Sequence, residues 1–287
     1  MIRLVIVLLL AGLPLLTAAQ AKEQKAITIG TQLQLHSAIL GEDRTLNIYL
    51  PADYTASDTV KYHVLYLLDG SIDEDFIHVA GLVQFNTFPW VKRLPPTIVV
   101  GIANTDRKRD MTFPTLVKAD KEKYPTTGGS ARFIDFLEKE LKPFIDKNFR
   151  TGGGNTLLGQ SLAGLLAAEV LLRKPDLFNN YIIISPSLWW DEASLLADRP
   201  KFDKVHPATP TRVYIGVGKE GQTPTTPPRI MEDDARMLAD KIRAVHNRNV
   251  TLHFDFLPED NHATVGHQAV MNGMRLLFGN TPEPSTH

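Results

Sequence analysis

Apolar and polar residues alternate in two neighbouring segments near the start of the chain, residues 27–40 and 44–50. The polar turn Gly41-Glu42-Asp43 joins them, so the pattern predicts a β-hairpin. Further along, short unbroken apolar runs replace the alternation. Strands that are apolar on both faces are typical of a sheet covered on both sides, which is usually parallel. These runs comprise residues 63–68, 98–102, 156–158, 181–184, 212–217 and 251–254.

Helical periodicity lies between these runs. Apolar side chains recur on one stripe in residues 130–149 and again in residues 231–246, and residues 162–172 are apolar almost all round, which predicts a buried helix. Alternating strands and helices after a hairpin predict an α/β fold: a mostly parallel central sheet with an N-terminal antiparallel hairpin and helices on both faces. Two polar stretches, residues 105–129 and 218–229, are predicted to be long surface loops, where ligands of such folds tend to bind.

The two ends of the chain differ from the rest. Arg3, an apolar run over residues 4–16 and the small residues Ala19-Gln20-Ala21 are together typical of a secretory signal peptide. We therefore expect cleavage near Ala21, secretion to the periplasm and one domain over residues 22–287, with residues 279–287 as a flexible tail. An uncleaved anchor is the alternative, although the run is shorter than the about 20 residues that a span needs. No later segment is apolar enough to span a membrane, so no membrane contact is expected after cleavage.

The amino-acid composition limits which nucleophiles, metal sites and partners the chain can have. The 287 residues are 43% hydrophobic, with 31 Lys and Arg against 32 Asp and Glu and no cysteine. The balanced charge gives no electrostatic reason to expect nucleic acid as a partner. Without cysteine there is no thiolate nucleophile, disulfide or Cys-ligated zinc, and we expect no metal or other cofactor. Serine assisted by histidine is the nucleophile that this sequence supports.

One serine lies in the local sequence that such a nucleophile needs. Residues 156–164, Thr-Leu-Leu-Gly-Gln-Ser-Leu-Ala-Gly, predict a strand, a tight turn and a buried helix, with Ser161 at the turn. Small residues at Gly159 and Ala163 let the strand and the helix pack closely. The first helix amides, near Leu162, would point to where an oxyanion forms. An ordinary glycine turn is the alternative interpretation.

The base is expected later in the chain, because this arrangement places its members in the order serine, acid, histidine. His262 lies in the loop after the last predicted strand, from which an imidazole can reach a serine at the end of a central strand. His267, on the following helix, is the alternative. His253 within a strand and His246 on a helix are better explained by packing or by solvent exposure, and His206 lies in a linker.

Several carboxylates are candidates for the acid. Glu220 is the first one after the strand over residues 212–217, in the expected chain position. Asp191 follows the neighbouring strand, whereas Asp233 and Asp234 belong to the next helix. Each of them has the alternative of being a solvated surface charge, and a serine–histidine dyad without an acid is a further alternative.

The remaining site residues are expected at other strand ends. A backbone N–H of Gly70 or Ser71 is the candidate second oxyanion donor, with an ordinary turn as the alternative. Trp189 and Trp190 could line an acyl or aryl pocket or belong to the core. The charged residues 106–110 could orient an anionic substrate, although such a run is more often solvated.

Several motifs together resemble one family. They are Tyr-Leu-Leu-Asp-Gly at residues 66–70, Val-Gly-Ile-Ala-Asn-Thr-Asp-Arg at 100–107, Gly-Gln-Ser-Leu-Ala-Gly at 159–164, Ser-Pro-Ser-Leu-Trp-Trp-Asp at 185–191 and Asn-His at 261–262. In combination they are similar to the esterase family of α/β hydrolases that includes siderophore (enterochelin) esterases and esterase-D-like hydrolases. The resemblance implies one α/β-hydrolase domain that hydrolyses carboxylic esters through an acyl-enzyme, with Ser161 as nucleophile and His262 as base. Family members more often have His at the position of Gln160 and Gly at that of Ala163.

These inferences predict a secreted, metal-independent serine esterase that acts on small acyl or aryl esters or on siderophore lactones. The expected partner is therefore a small-molecule ester, and the oligomeric state is left open. An acyltransferase or a peptidase of the same fold is one alternative. A non-catalytic periplasmic protein that binds a siderophore or another ligand is the other, and it predicts no labelling of Ser161 by a fluorophosphonate.

Overall fold

The computed structural model describes residues 23, 25–55, 59–206 and 208–279. The predicted signal peptide, residues 1–21, and residues 280–287 of the predicted tail lie outside the described residues. No helix in the described part of the chain has the length and apolar character that crossing a membrane requires.

The described residues form one sheet of eight strands. The strands are β1 Thr31–Ser37, β2 Glu42–Tyr49, β3 Tyr62–Leu67, β4 Thr97–Ile102, β5 Thr151–Gln160, β6 Asn180–Ile184, β7 Thr211–Gly218 and β8 Val250–Leu257. Their order across the sheet is β1-β2-β4-β3-β5-β6-β7-β8. The pairs β1–β2 and β2–β4 are antiparallel, and the other neighbours run parallel. This arrangement confirms the predicted α/β fold with its N-terminal hairpin.

Helices cover both faces of the sheet. They are α1 Phe76–Thr87, α2 Arg107–Met111, α3 Lys118–Lys123, α4 Ser130–Phe136, α5 Lys142–Asn148, α6 Leu162–Arg173, α7 Trp190–Ala193, α8 Met231–Ala244 and α9 Val265–Phe278. Side chains of α1 and α9 pack in the core cluster on one face of the sheet. Side chains of α4, α5, α6 and α8 pack in the larger cluster on the other face. Residues 163–172 of α6 are all buried, as their uniformly apolar sequence predicts.

Three predictions about where helices lie need correction. The stretch 105–129, predicted to be a loop, contains α2 and α3, and the Asp106 side chain caps α2 by accepting a hydrogen bond from a backbone N–H at 3.0 Å. The helix predicted over 130–149 contains a π-helical turn, Leu137–Leu141, between α4 and α5. Pro143 at the start of α5 has no N–H to donate to the preceding turn, which accounts for the interruption. His246, predicted to be helical, lies beyond the end of α8.

Candidate active site

Ser161 lies at the turn between β5 and α6. Its backbone has φ 62° and ψ −120°, a conformation that non-glycine residues rarely adopt and that is typical of a strained functional turn. Gly159 is required here because a Cβ atom at that position would collide with the backbone oxygen of Ala163. The first hydrogen bond of α6 runs from the Leu165 N–H to the Ser161 carbonyl at 2.9 Å. Leu162 is the first residue of α6, so its N–H is one of the N-terminal helix amides that can donate to an oxyanion.

The structure brings the predicted base and acid to Ser161. His262 Nε2 lies 3.1 Å from Ser161 Oγ, and His262 Nδ1 lies 2.6 Å from a carboxylate oxygen of Glu220. An ionised carboxylate only accepts hydrogen bonds, so Nδ1 carries the proton and Nε2 is left to accept the proton of the serine. The order of the three residues along the chain is the expected one, with Glu220 after β7 and His262 after β8.

Glu220 is held in one orientation by its surroundings. Its side chain is 2% exposed, whereas that of His262 is 46% exposed. The carboxylate oxygen that does not face His262 accepts hydrogen bonds from the Ser185 hydroxyl and, at 3.3 Å, from the Gly218 N–H. These donors stabilise the buried negative charge and fix the oxygen that faces the imidazole.

The alternative acids and the alternative base have other partners. Asp191 accepts hydrogen bonds from a different loop, and Asp234 forms a two-point ion pair with Arg229. Asp233 is exposed on α8. His267 lies on α9, where its ring nitrogen is 2.8 Å from that of His78. The structure therefore assembles Ser161 with His262 and Glu220 and leaves these candidates outside the constellation.

Of the two alternatives for the second oxyanion donor, Gly70 and Ser71, the N–H of Gly70 is not available. The Gly70 N–H donates to the Ile102 carbonyl at 3.0 Å, because the chain after β3 continues to pair with β4. A Cβ atom at Gly70 would collide with Gly101, so the glycine serves this close backbone approach. The prediction for Gly70 is therefore wrong, and Ser71 remains with Leu162. The Ser71 N–H has only a long contact of 3.4 Å, to a Glu74 carboxylate oxygen.

The turn that carries Ser71 is fixed by an ion pair that sequence reasoning missed. Arg107 donates two hydrogen bonds to Asp69, of 2.7 and 2.8 Å, and Asp69 has φ 53°. The other members of the charged stretch 106–110 are also mostly paired, for example Asp110 with the buried Arg44 at 2.7 Å. The predicted solvated run is thus largely an internal network. Its only signal in the sequence is the presence of both charge signs, with Asp106 and Asp110 on either side of three basic residues.

Two serines at the end of β6 were also missed. Ser185 supports Glu220, as described above, and the Ser187 hydroxyl oxygen lies 3.3 Å from that of Ser161. The Ser187 N–H also donates to the Ser161 carbonyl at 3.0 Å. The signal was present in the position of the Ser-Pro-Ser motif, directly after the strand that neighbours β5.

A cavity of about 190 Å³ adjoins Ser161 and is also bordered by Ser187, Arg107 and both predicted tryptophans. Trp189 is half-buried, and its ring meets that of Trp190 edge-on at 6.4 Å. Trp190 is 2% exposed, and its indole N–H donates to a backbone carbonyl at 2.9 Å, so it combines the predicted pocket role with the alternative core role. A second cavity of about 220 Å³ shares Trp189 as a wall.

The chain is similar to known proteins over most of its length. The model of the family described as "Putative esterase" matches residues 37–274. Ferri-bacillibactin esterase BesA of Bacillus subtilis is 28% identical over 269 residues, which make up 88% of this chain and 91% of that protein. The solved structure of an IroE-like serine hydrolase from Shewanella oneidensis is 31% identical, with a TM-score of 0.75, and the match covers 87% of this chain and 80% of that one. The BES protein from Bacillus cereus is 28% identical, with a TM-score of 0.77 and coverage of 90% and 99%.

Proposed function

The chain belongs to this esterase family and is a carboxylic ester hydrolase, and we propose that it is a secreted serine esterase that works through an acyl-enzyme on Ser161. The observation that carries the proposal is the continuous series of hydrogen bonds from Glu220 through His262 to Ser161. A buried carboxylate, an imidazole and a hydroxyl in this order activate serine on several unrelated folds.

Acylation begins when Ser161 Oγ attacks the ester carbonyl. His262 Nε2 takes the hydroxyl proton as the bond forms, and the buried Glu220 stabilises the resulting imidazolium. The carbonyl oxygen becomes negatively charged and accepts hydrogen bonds from the N–H groups of Leu162 and Ser71. The tetrahedral intermediate then collapses: the bond to the leaving oxygen breaks, and His262 gives its proton to the departing alcohol.

Deacylation repeats the same steps with water. His262 removes a proton from a water molecule that attacks the acyl carbonyl, and the same two amides hold the oxyanion. Collapse of the second intermediate breaks the bond to Ser161 Oγ, which regains its proton from His262. The acid product leaves, and each group returns to its starting protonation state.

We propose siderophore lactones and small aryl esters as the substrate class. The support is the family relationship to a ferri-bacillibactin esterase, together with the aromatic wall of the cavity. The cavity of about 190 Å³ is smaller than the roughly 300–1,000 Å³ usual for whole ligands, so it suits one acyl or aryl arm of a larger molecule. The exposed residue Lys108 borders the same cavity, and its positive charge suits an anionic substrate.

A hydrolysis panel tests the function. p-Nitrophenyl esters from acetate to octanoate, p-nitrophenyl benzoate and a trilactone siderophore, with and without ferric iron, are offered to the wild type and to Ser161→Ala. We expect turnover of at least one ester class, and a fall in kcat of at least about 10³-fold in the variant. Full turnover by Ser161→Ala would exclude the serine mechanism, and absence of turnover throughout would exclude the substrate class.

Secretion is the second part of the proposal. Its support is the charged start, the apolar run and the small residues that end at Ala21. In a Gram-negative host, N-terminal sequencing of the periplasmic fraction should give a chain that begins at Lys22. Recovery of the full-length chain from the membrane fraction would instead favour the uncleaved anchor.

A further inference from the structure

The wall of the cavity beside Ser161 includes a segment whose middle part packs little against the core. Residues 112–129, which we call the cap segment, contribute Tyr124 to both cavities. Within its middle part, residues 116–123, all of which are described, none is buried, and Leu116 is 86% exposed. Apolar burial therefore contributes little to the position of this part, which must depend on particular polar contacts.

Asp191 provides those contacts from the turn after β6. One of its carboxylate oxygens accepts hydrogen bonds from the Thr115 hydroxyl at 2.8 Å and from the Leu116 N–H at 2.6 Å. Its other oxygen accepts a hydrogen bond from the Ser194 hydroxyl at 2.6 Å. The neighbouring Trp190 adds a second connection, from its indole N–H to the carbonyl of Phe113. A single turn thus carries the two tryptophans of the cavity and also fastens the cap segment.

The backbone of this turn is strained. Asp191, Glu192 and Ala193, three of the four residues of α7, have φ values of 51°, 53° and 62°. The short element α7 is therefore mostly left-handed, although none of these three residues is glycine. Such conformations persist only where surrounding contacts hold them, and they concentrate at functional sites. The hydrogen bonds of Asp191 are among the contacts that hold this turn, because they join it to Ser194 on one side and to the cap segment on the other.

The charge state of Asp191 agrees with this role. Burial acts to raise the pKa of its carboxyl group, but the hydrogen bonds from Ser194, Leu116 and Thr115 outweigh burial and lower the pKa below its usual value. The group is therefore ionised near neutral pH, and hydrogen bonds to an ionised acceptor are stronger than those between neutral groups.

We infer that Asp191 is a positioning residue that sets the distance between the cap segment and the tryptophan turn, and thereby the selectivity of the esterase for bulky acyl groups. The inference rests on the proposed function, since it concerns the cavity beside the nucleophile. Asp191 accepts hydrogen bonds from Thr115, Leu116 and Ser194, and none of these donors belongs to the catalytic residues. Its loss should therefore affect substrates that fill the cavity more than substrates that reach only the reacting atoms.

The test compares two esters with the same leaving group. Asp191→Asn keeps the shape of the side chain, suits the left-handed backbone and removes the charge. For p-nitrophenyl benzoate we expect kcat/KM to fall about ten-fold, mainly through KM, while the value for p-nitrophenyl acetate stays within about two-fold. Thr115→Val removes the hydrogen bond that the Thr115 hydroxyl donates to Asp191, and it should shift selectivity in the same direction. The double variant should lose less than the product of the two single effects. Asp203→Asn, an exposed aspartate of the short helical turn Phe202–Lys204, is the matched control.

Equal losses for both esters, or no change in their ratio, would overturn the inference. If Asp191→Asn does not fold, as judged by near-ultraviolet circular dichroism, Thr115→Val alone decides the question by the same ratio. Failure of the proposed function has a different signature: it would appear as equal turnover by the wild type and Ser161→Ala, whatever the selectivity of the Asp191 variant.

Discussion

Replacing Glu220 by glutamine should lower kcat by about three to four powers of ten without changing the fold. The substitution keeps the size of a side chain that is 2% exposed. It removes the negative charge that faces the imidazolium formed during each proton transfer. At an effective dielectric constant of about 20, unit charges about 4 Å apart attract by about 4 kcal/mol. That energy corresponds to about three powers of ten in rate.

The orientation of the new amide adds to this loss. The Ser185 hydroxyl and the Gly218 N–H both donate to the oxygen of Glu220 that lies away from the imidazole. In Glu220→Gln the amide oxygen would therefore remain there, and the NH₂ group would face His262 Nδ1. Nδ1 must then accept, which moves the ring proton to Nε2 and prevents that nitrogen from taking the serine proton. An acid-to-amide change of this kind costs about 10⁴ in other serine hydrolases.

The assay is steady-state hydrolysis of p-nitrophenyl acetate, with thermal unfolding as the check of folding. KM should change little, because Glu220 does not border the cavity beside Ser161. Asp233→Asn, at an exposed carboxylate of α8, is the matched control and should keep kcat within about two-fold. A folded Glu220→Gln enzyme with kcat within about ten-fold of the wild type would refute the assignment of Glu220 as the acid.

Three further predictions concern other parts of the fold. Gln160→Leu removes a 2.7 Å hydrogen bond to the carbonyl of His262 and should lower kcat about ten-fold while Tm changes little; an unchanged kcat would exclude a role for this bond. Gly159→Ala should lower Tm by about 5–10 °C through its clash with a backbone oxygen in α6, whereas Gly81→Ala, with open space around it, should not lower Tm. Burial lowers the pKa of His63 from 6.5 to about 4, so the unfolded chain binds more protons between these values and stability is lost as pH falls through them. The free energy of unfolding measured with urea should fall by about 3 kcal/mol between about pH 7 and pH 4 because of His63, and His63→Gln should remove that fall.

Much of the sheet was predictable because its strands are apolar on both faces. The limits of the strands were less predictable: β5 was expected over residues 156–158 but extends over Thr151–Gln160. Its first half contains three glycines and no apolar pattern. It pairs with β3 through Tyr62 and Thr151, and the register shifts before the next pair, Val64 and Asn155, which no local pattern predicts. The short helices α2 and α3 were missed for a related reason. Hydrophobic periodicity cannot predict them, because α2 has only 5 residues and α3 has no buried face.

The sequence likewise predicts some of the site residues and not others. Ser161, Glu220 and His262 were accessible to sequence reasoning because each follows a recognisable strand and the chain order limits the choices. Gly70 was assigned wrongly because its N–H is used by a neighbouring strand end, which is a long-range contact. Ser187 was missed because its position also depends on a long-range contact: only the pairing of β5 with β6 brings it close to Ser161.

The most direct test of the serine mechanism is covalent labelling of the nucleophile. The wild type is treated with a fluorophosphonate, its intact mass is measured, and the adduct is located by peptide mapping. We expect one adduct per chain, on Ser161, together with complete loss of ester hydrolysis, and no adduct on Ser161→Ala. Labelling at another residue, or full hydrolysis by a wild-type enzyme labelled at Ser161, would contradict this mechanism.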